Sequence, residues 1–197
     1  MRRSDIGIIA ILGGIAAYVY YQQSQTPTST NDSLSFTSDP LASIGDVIVS
    51  STAGWKNVKE GPIWIPALNA AEIQFGIPTD LLARIAYQES HFRPEIIDGS
   101  MQSSAGALGL MQLEPIYFAS VRVPRPFTPD DTAAQIQDAA QDLVTNYNAL
   151  KNWPQAVAAY NAGLSTIQKG NASAANKLAT ANYVAQIIAD VPAANNA

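Results

Sequence analysis

The chain has 197 residues, 47% of them hydrophobic, a formal net charge of -5 and no cysteine. That is enough apolar material for one ordinary domain with an appendage, and too much for a disordered chain. Eleven cations against sixteen anions exclude a strongly basic nucleic-acid-binding face, the missing thiols exclude disulfides and cysteine chemistry, and a single histidine, His91, leaves any metal site almost wholly carboxylate.

The N-terminus reads as an anchoring or signal segment. Arg2 and Arg3 precede the uncharged stretch 6–21, with tyrosines at 18, 20 and 21. As a helix the stretch is about 24 Å long, short of a roughly 30 Å hydrocarbon core. The arginines suit a cytoplasmic start and the tyrosines an interfacial belt, so a retained single-pass anchor is the preferred reading over a cleaved signal. Residues 22–59 read as a Ser-, Thr-, Gln- and Pro-rich tether, within which Ile44, Val47, Ile48 and Trp55 form an apolar patch able to dock on a domain. Asn31 and Asn171 each begin a glycosylation triplet.

From residue 60 to 197 the pattern predicts an all-α domain. A helix over 63–75 ends at Gly76, and a second over 79–92, capped by Thr79 or Asp80, carries Glu89. Residues 93–109 have loop composition. One or two helices follow over 109–121, interrupted by Pro115. The clearest periodicity lies at 132–150, with Ala133, Ile136, Ala140, Leu143, Val144, Tyr147 and Leu150 on one face. Helices over 153–162 and 176–190 complete the set, with Pro192 as the stop.

Glu89 is the anomaly of the second helix. It falls seven residues after Leu82 on the apolar stripe, near a helix C-terminus that disfavours negative charge. Locally two readings stay open: a carboxylate directed at the core for a chemical purpose, or a frayed last turn with Glu89 in water.

Three segments stand out together: QESHF at 88–92, GALGLMQL at 106–113 and AVAAYNAG at 156–163, followed by Tyr183-Val184 on a late helix. In their order and separations they resemble the catalytic domain of the soluble, goose-lysozyme-like lytic transglycosylases, over roughly 62–190. The resemblance implies a lysozyme-like helical fold. It also implies cleavage of the peptidoglycan bond between N-acetylmuramic acid and N-acetylglucosamine, giving an anhydro sugar without metal or cofactor. By position Glu89 is the single acid and base. Gln112, Tyr160, Asn161, Tyr183 and Ser90 are the matching substrate-binding positions, Ser90 serving also to fix the helix end. Met111 reads as packing, the motif glycines as backbone geometry, and His91 as a surface residue.

The expected partners are peptidoglycan glycan strands and, through residues 6–21, a membrane, with the catalytic part on the periplasmic side of an inner membrane. An envelope machine or a virion is the expected setting. A lysozyme-like hydrolase and a non-catalytic wall-binding module are the alternatives. Three positions depart from the family pattern: Glu114 stands where many members have methionine, Ala179 where many have glutamate, and Leu164 where proline is frequent. If Glu114 faces the cleft, its charge adds to the field at Glu89.

Overall fold

Residues 54–195 are described by a computed structural model of the chain. The expected anchor (1–21) and all of the tether before residue 54 lie outside the described residues. Within them the fold is all-α, and no helix is long and apolar enough to cross a membrane.

The seven α-helices among the described residues are α1 (Gly61–Phe75), α2 (Leu81–Ser90), α3 (Pro94–Ile97), α4 (Pro129–Leu150), α5 (Trp153–Ala162), α6 (Leu164–Lys169) and α7 (Ala174–Asp190). Five of them close a circuit, α1 on α2, α2 on α7, α7 on α5, α5 on α4 and α4 back on α1. The core lies inside it. Helix α5 contributes Trp153, Ala156, Val157, Ala158 and Ala159, all buried, and small alanine side chains let its neighbours approach closely. Trp153 stacks on Tyr147 of α4 at 4.0 Å between ring centroids.

Helix ends follow the sequence where the cap is local. Gly76 ends α1 in the left-handed conformation, its N–H bonded to Glu72 O. Thr128 and Asp131 form a reciprocal capping box at α4. Asn152 caps α5 and Ser173 caps α7 through side-chain oxygens.

Helix α2 departs from expectation. Asp80 occupies its N-cap position but makes no side-chain cap bond, and pairs with Lys56 instead. The cap comes from α1. Buried Glu72 accepts the N–H groups of Asp80 (2.7 Å) and Ala83 (3.0 Å), so one helix's carboxylate satisfies the start of the next.

Two further expectations are corrected. Residues 109–121 are not helical, apart from a 3-10 turn at Ala119–Val121. Gly109 and Gln112 adopt φ of 79° and 47°, which an α-helix excludes, and Leu108 and Leu113 exchange both backbone hydrogen bonds at 2.9 Å. The segment is a closed loop whose apolar residues Leu110 and Met111 point into the core. On α4 the buried face is rotated from the expected stripe: Ala133 is exposed, whereas Thr132, Gln135, Ala139 and Asn146 are buried beside Ile136, Ala140 and Leu143. At the N-terminal edge, Trp55 is buried within a 3-10 turn against α1 and lies 6.2 Å from the Tyr87 ring. Packing therefore reaches back to residue 55, as the docking reading of that tryptophan anticipated.

Candidate active site

Helix α2 delivers Glu89 from a firmly terminated last turn, not a frayed one. His91 and Phe92 follow it in consecutive left-handed conformations, φ of 50° and 52°. Such residues are strained without glycine, and the fold holds them with local bonds. His91 N–H donates to Tyr87 O at 2.7 Å, and buried Phe92 anchors the turn. Ser90 completes the lock: its hydroxyl donates to Ala86 O (2.8 Å) and accepts from Phe92 N–H (3.1 Å). It is fully buried, so its observed contacts are those of a helix-end clamp and none reaches Glu89 or Tyr183. His91 lies on the surface with its ring 5.0 Å from that of Tyr87.

Behind α2 sits a buried guanidinium. Arg84 reaches Asp190 of α7 at 2.7 Å, Gln88 at 2.9 Å and the Gln186 carbonyl at 3.3 Å. Gln88 also donates to Gln186 Oε1 at 3.2 Å. This network fixes α2 against α7 one turn from Glu89. Charge-assisted bonds of this kind, out of water, set geometry more than they add net stability.

The fixed seam brings Tyr183 to Glu89. The Tyr183 hydroxyl donates to Glu89 Oε1 at 2.6 Å, across 94 residues of sequence. Glu89 keeps some exposed surface, yet dense protein encloses its carboxyl, and burial raises its pKa from 4.5 to about 7 against the opposing effect of the Tyr183 hydrogen bond. Burial, and then the Glu89 charge, push the Tyr183 and Tyr160 hydroxyls well above their ordinary range, which keeps both as neutral donors.

Tyr160 ties the 108–113 loop to the same place. Its hydroxyl donates to Met111 O at 2.9 Å, so in this structure it holds the loop. Next to Met111, half-buried Gln112 turns its amide nitrogen back onto Gly109 O (3.0 Å), which leaves its side-chain oxygen as an acceptor. Gly109 is required here. A Cβ would stand 2.0 Å from the side-chain oxygen of Gln135, which itself accepts from Leu110 N–H. Asn161 lies beside Tyr160, buried, and its side-chain oxygen accepts from the Thr180 hydroxyl at 3.1 Å, leaving the amide N–H groups as its donors. Thr180 and Tyr183 are one turn apart on α7, so a single helix face serves Asn161 and Glu89.

The structure thus joins Glu89 to Tyr183 directly and to Asn161 through Thr180 on the same helix face, with Tyr160 near enough to feel the Glu89 charge and Gln112 on the loop that Tyr160 holds. Four contributors were not singled out from sequence. Glu72 and Gln135 act across helices and carry no local signature, Arg84 looks like a surface cation until its burial is seen, and Thr180 was legible only as part of a variable pair. Glu114 carries a buried, unpartnered carboxyl oxygen, and burial raises its pKa; Tyr117, not Glu89, is the group whose titration it perturbs. Residues 66–183, over half of the chain, match the profile of the transglycosylase SLT domain. The chain belongs to that family, whose general activity is lysozyme-like cleavage of peptidoglycan.

Proposed function

We propose that the domain is a lytic transglycosylase that cleaves the β-1,4 bond between N-acetylmuramic acid and N-acetylglucosamine and releases a 1,6-anhydro product. The observation that carries the reading is a lone carboxyl with a pKa near 7 whose direct partner is a tyrosine hydroxyl. An acid that must give up a proton and then recover it works best with a pKa close to ambient pH. Because Tyr183 donates to Oε1, the proton of neutral Glu89 resides on Oε2.

From there it passes to the glycosidic oxygen as the C–O bond breaks and positive charge develops on the muramic ring. The carboxylate left behind faces that charge. It then accepts the proton of the ring's own C6 hydroxyl as that oxygen closes on C1, which returns Glu89 to its neutral form. Ordinary two-carboxylate glycosidases divide these roles between an acid and a second acid that activates water or attacks the sugar. Here the acceptor is tethered to the substrate, and its effective concentration exceeds that of a free nucleophile. Gln112 Oε1 and the Asn161 amide supply an acceptor and a donor for the N-acetyl sugars, and Tyr160 keeps the Gln112 loop in place.

The proposal sets the domain on the periplasmic side of an inner membrane or in a virion, opening the wall locally. Arg2, Arg3 and the uncharged stretch 6–21 support an anchor, and a tether of 22–53, ending where Trp55 packs, spans roughly 28–34 Å in r.m.s. terms. Digestion of purified peptidoglycan followed by mass spectrometry tests the chemistry. Anhydro-muropeptides are expected. Reducing-end products identify a hydrolase instead, and binding without products identifies a wall-binding module.

A further inference from the structure

Glu114 is a carboxyl that the mechanism leaves unused. It follows Gln112 by two residues, so the two Cα atoms lie within about 7 Å of each other. Between them, Leu113 pairs with Leu108 and is buried, whereas Gln112 and Glu114 on either side are both half-buried. Leu113 therefore takes the inward side of the segment, and its two polar neighbours keep their access to solvent. The N–H groups of Tyr117 and Phe118 donate to Glu114 O at 3.0 and 3.1 Å, a turn that fixes the residue where it stands.

The carboxyl is incompletely provided for. Its Oε2 is shut off from water without a hydrogen-bond partner, and burial raises its pKa. Among the described residues no cation forms an ion pair with it. Holding a carboxylate oxygen away from water without a partner is costly, and an apolar side chain at this position would avoid that cost. We propose, resting on the transglycosylase reading above, that Glu114 selects wall strands carrying a protonated amine, which its carboxylate holds beside the sugar bound at Gln112. A hydroxyl or an amide N–H supplies a hydrogen bond alone. An ammonium supplies both the bond and the missing counter-charge, and charge-assisted bonds are the stronger class. It approaches from the part-exposed side of the residue and leaves Oε2 where it is. Peptidoglycan offers this chemistry from two sources: the 2-amino group of a sugar that lacks its acetyl group, and the free side-chain amine of an uncross-linked stem peptide.

Binding is measured by calorimetry on the full chain in detergent, with Glu89→Gln as the background so that no strand is cut. Three soluble glycan strands are compared: uncross-linked strands with their stem peptides, the same strands stripped of peptide, and stripped strands from which acetyl groups have been removed. The stripped, fully acetylated strands carry no side-chain or sugar amine. Adding Glu114→Gln is expected to raise Kd about tenfold on at least one amine-bearing set, with a smaller effect on the amine-free set. A loss on the deacetylated strands assigns the sugar amine, and a loss on the peptide-bearing strands assigns the peptide amine. An equal effect on all three sets, or none on any, overturns the proposal. Glu114→Met, with the residue many family members carry here, is the second variant and must give the same pattern. Because no bond is cut, the result stands apart from the reaction assigned to Glu89, which the wall digest tests separately.

Discussion

Glu89→Gln separates the chemical role of this carboxyl from its structural cost. Burial lifts the Glu89 pKa from 4.5 to about 7, so between these values the folded chain holds a proton that the unfolded chain has released. Stability contributed by this group is therefore complete at low pH and declines as pH rises through 4.5 to 7, then levels off. At pH 8 both states are ionised and the full shift applies, about 3 kcal/mol at 1.36 kcal/mol per unit; at pH 5 it is below about 1 kcal/mol. The partial exposure of Glu89 makes these upper values. Glutamine does not titrate, and its carbonyl still accepts from Tyr183. The variant should thus lose wall-cleaving activity yet gain about 2 kcal/mol on the parent between pH 5 and pH 8, read as the difference in urea unfolding free energies. A difference that stays flat, or falls, over that range would show that Glu89 is not held as a buried neutral acid. Retained activity would remove it from the mechanism.

The remaining predictions concern its surroundings. Tyr183→Phe removes the one hydrogen bond that favours the charged carboxylate, so the alkaline limb of the kcat/KM–pH profile should move upward from near pH 7; a shift downward contradicts the assigned donor. Gly109→Ala must both adopt φ near 79° and displace Gln135, and should lower stability by about 2 kcal/mol or more in denaturant titrations, with activity falling further than stability. An unaffected variant would mean that the loop is not held as described. Glu72→Ala leaves two N–H groups at the start of α2 without their cap, at an expected cost of about 2–3 kcal/mol in chemical unfolding. Unchanged stability would refute the inter-helix cap.

Sequence and structure agree where the governing interactions are local. The end of α1 falls at Gly76 as read, and the start of α5 at Trp153 as read; α4 starts three residues before its apolar periodicity, at Pro129, where Thr128 caps it. The anomaly of Glu89 was visible because its neighbours Leu82 and Ile85 define the stripe it interrupts, whereas the hydroxyl that meets it lies 94 positions away. The 109–121 segment misled because Leu110, Met111 and Leu113 suit a helix by composition. Its real shape is imposed by the Leu108–Leu113 pairing and by Gln135 pressing on Gly109. The cap of α2 was obscured for a similar reason. Asp80 has the right residue type in the right place, and a carboxylate on another helix had already taken the task. Short-range chemistry was legible; contacts between helices were not.

The Tyr183–Glu89 bond also orders events in time. Glu89 emerges in the first half of the chain, while Tyr183 and the Arg84 partner Asp190 belong to the last helix. Until α7 closes on α2, the glutamate lacks both the enclosure and the donor that set its acidity. The acidity of Glu89 is therefore set only after the last helix has been made and has packed against α2.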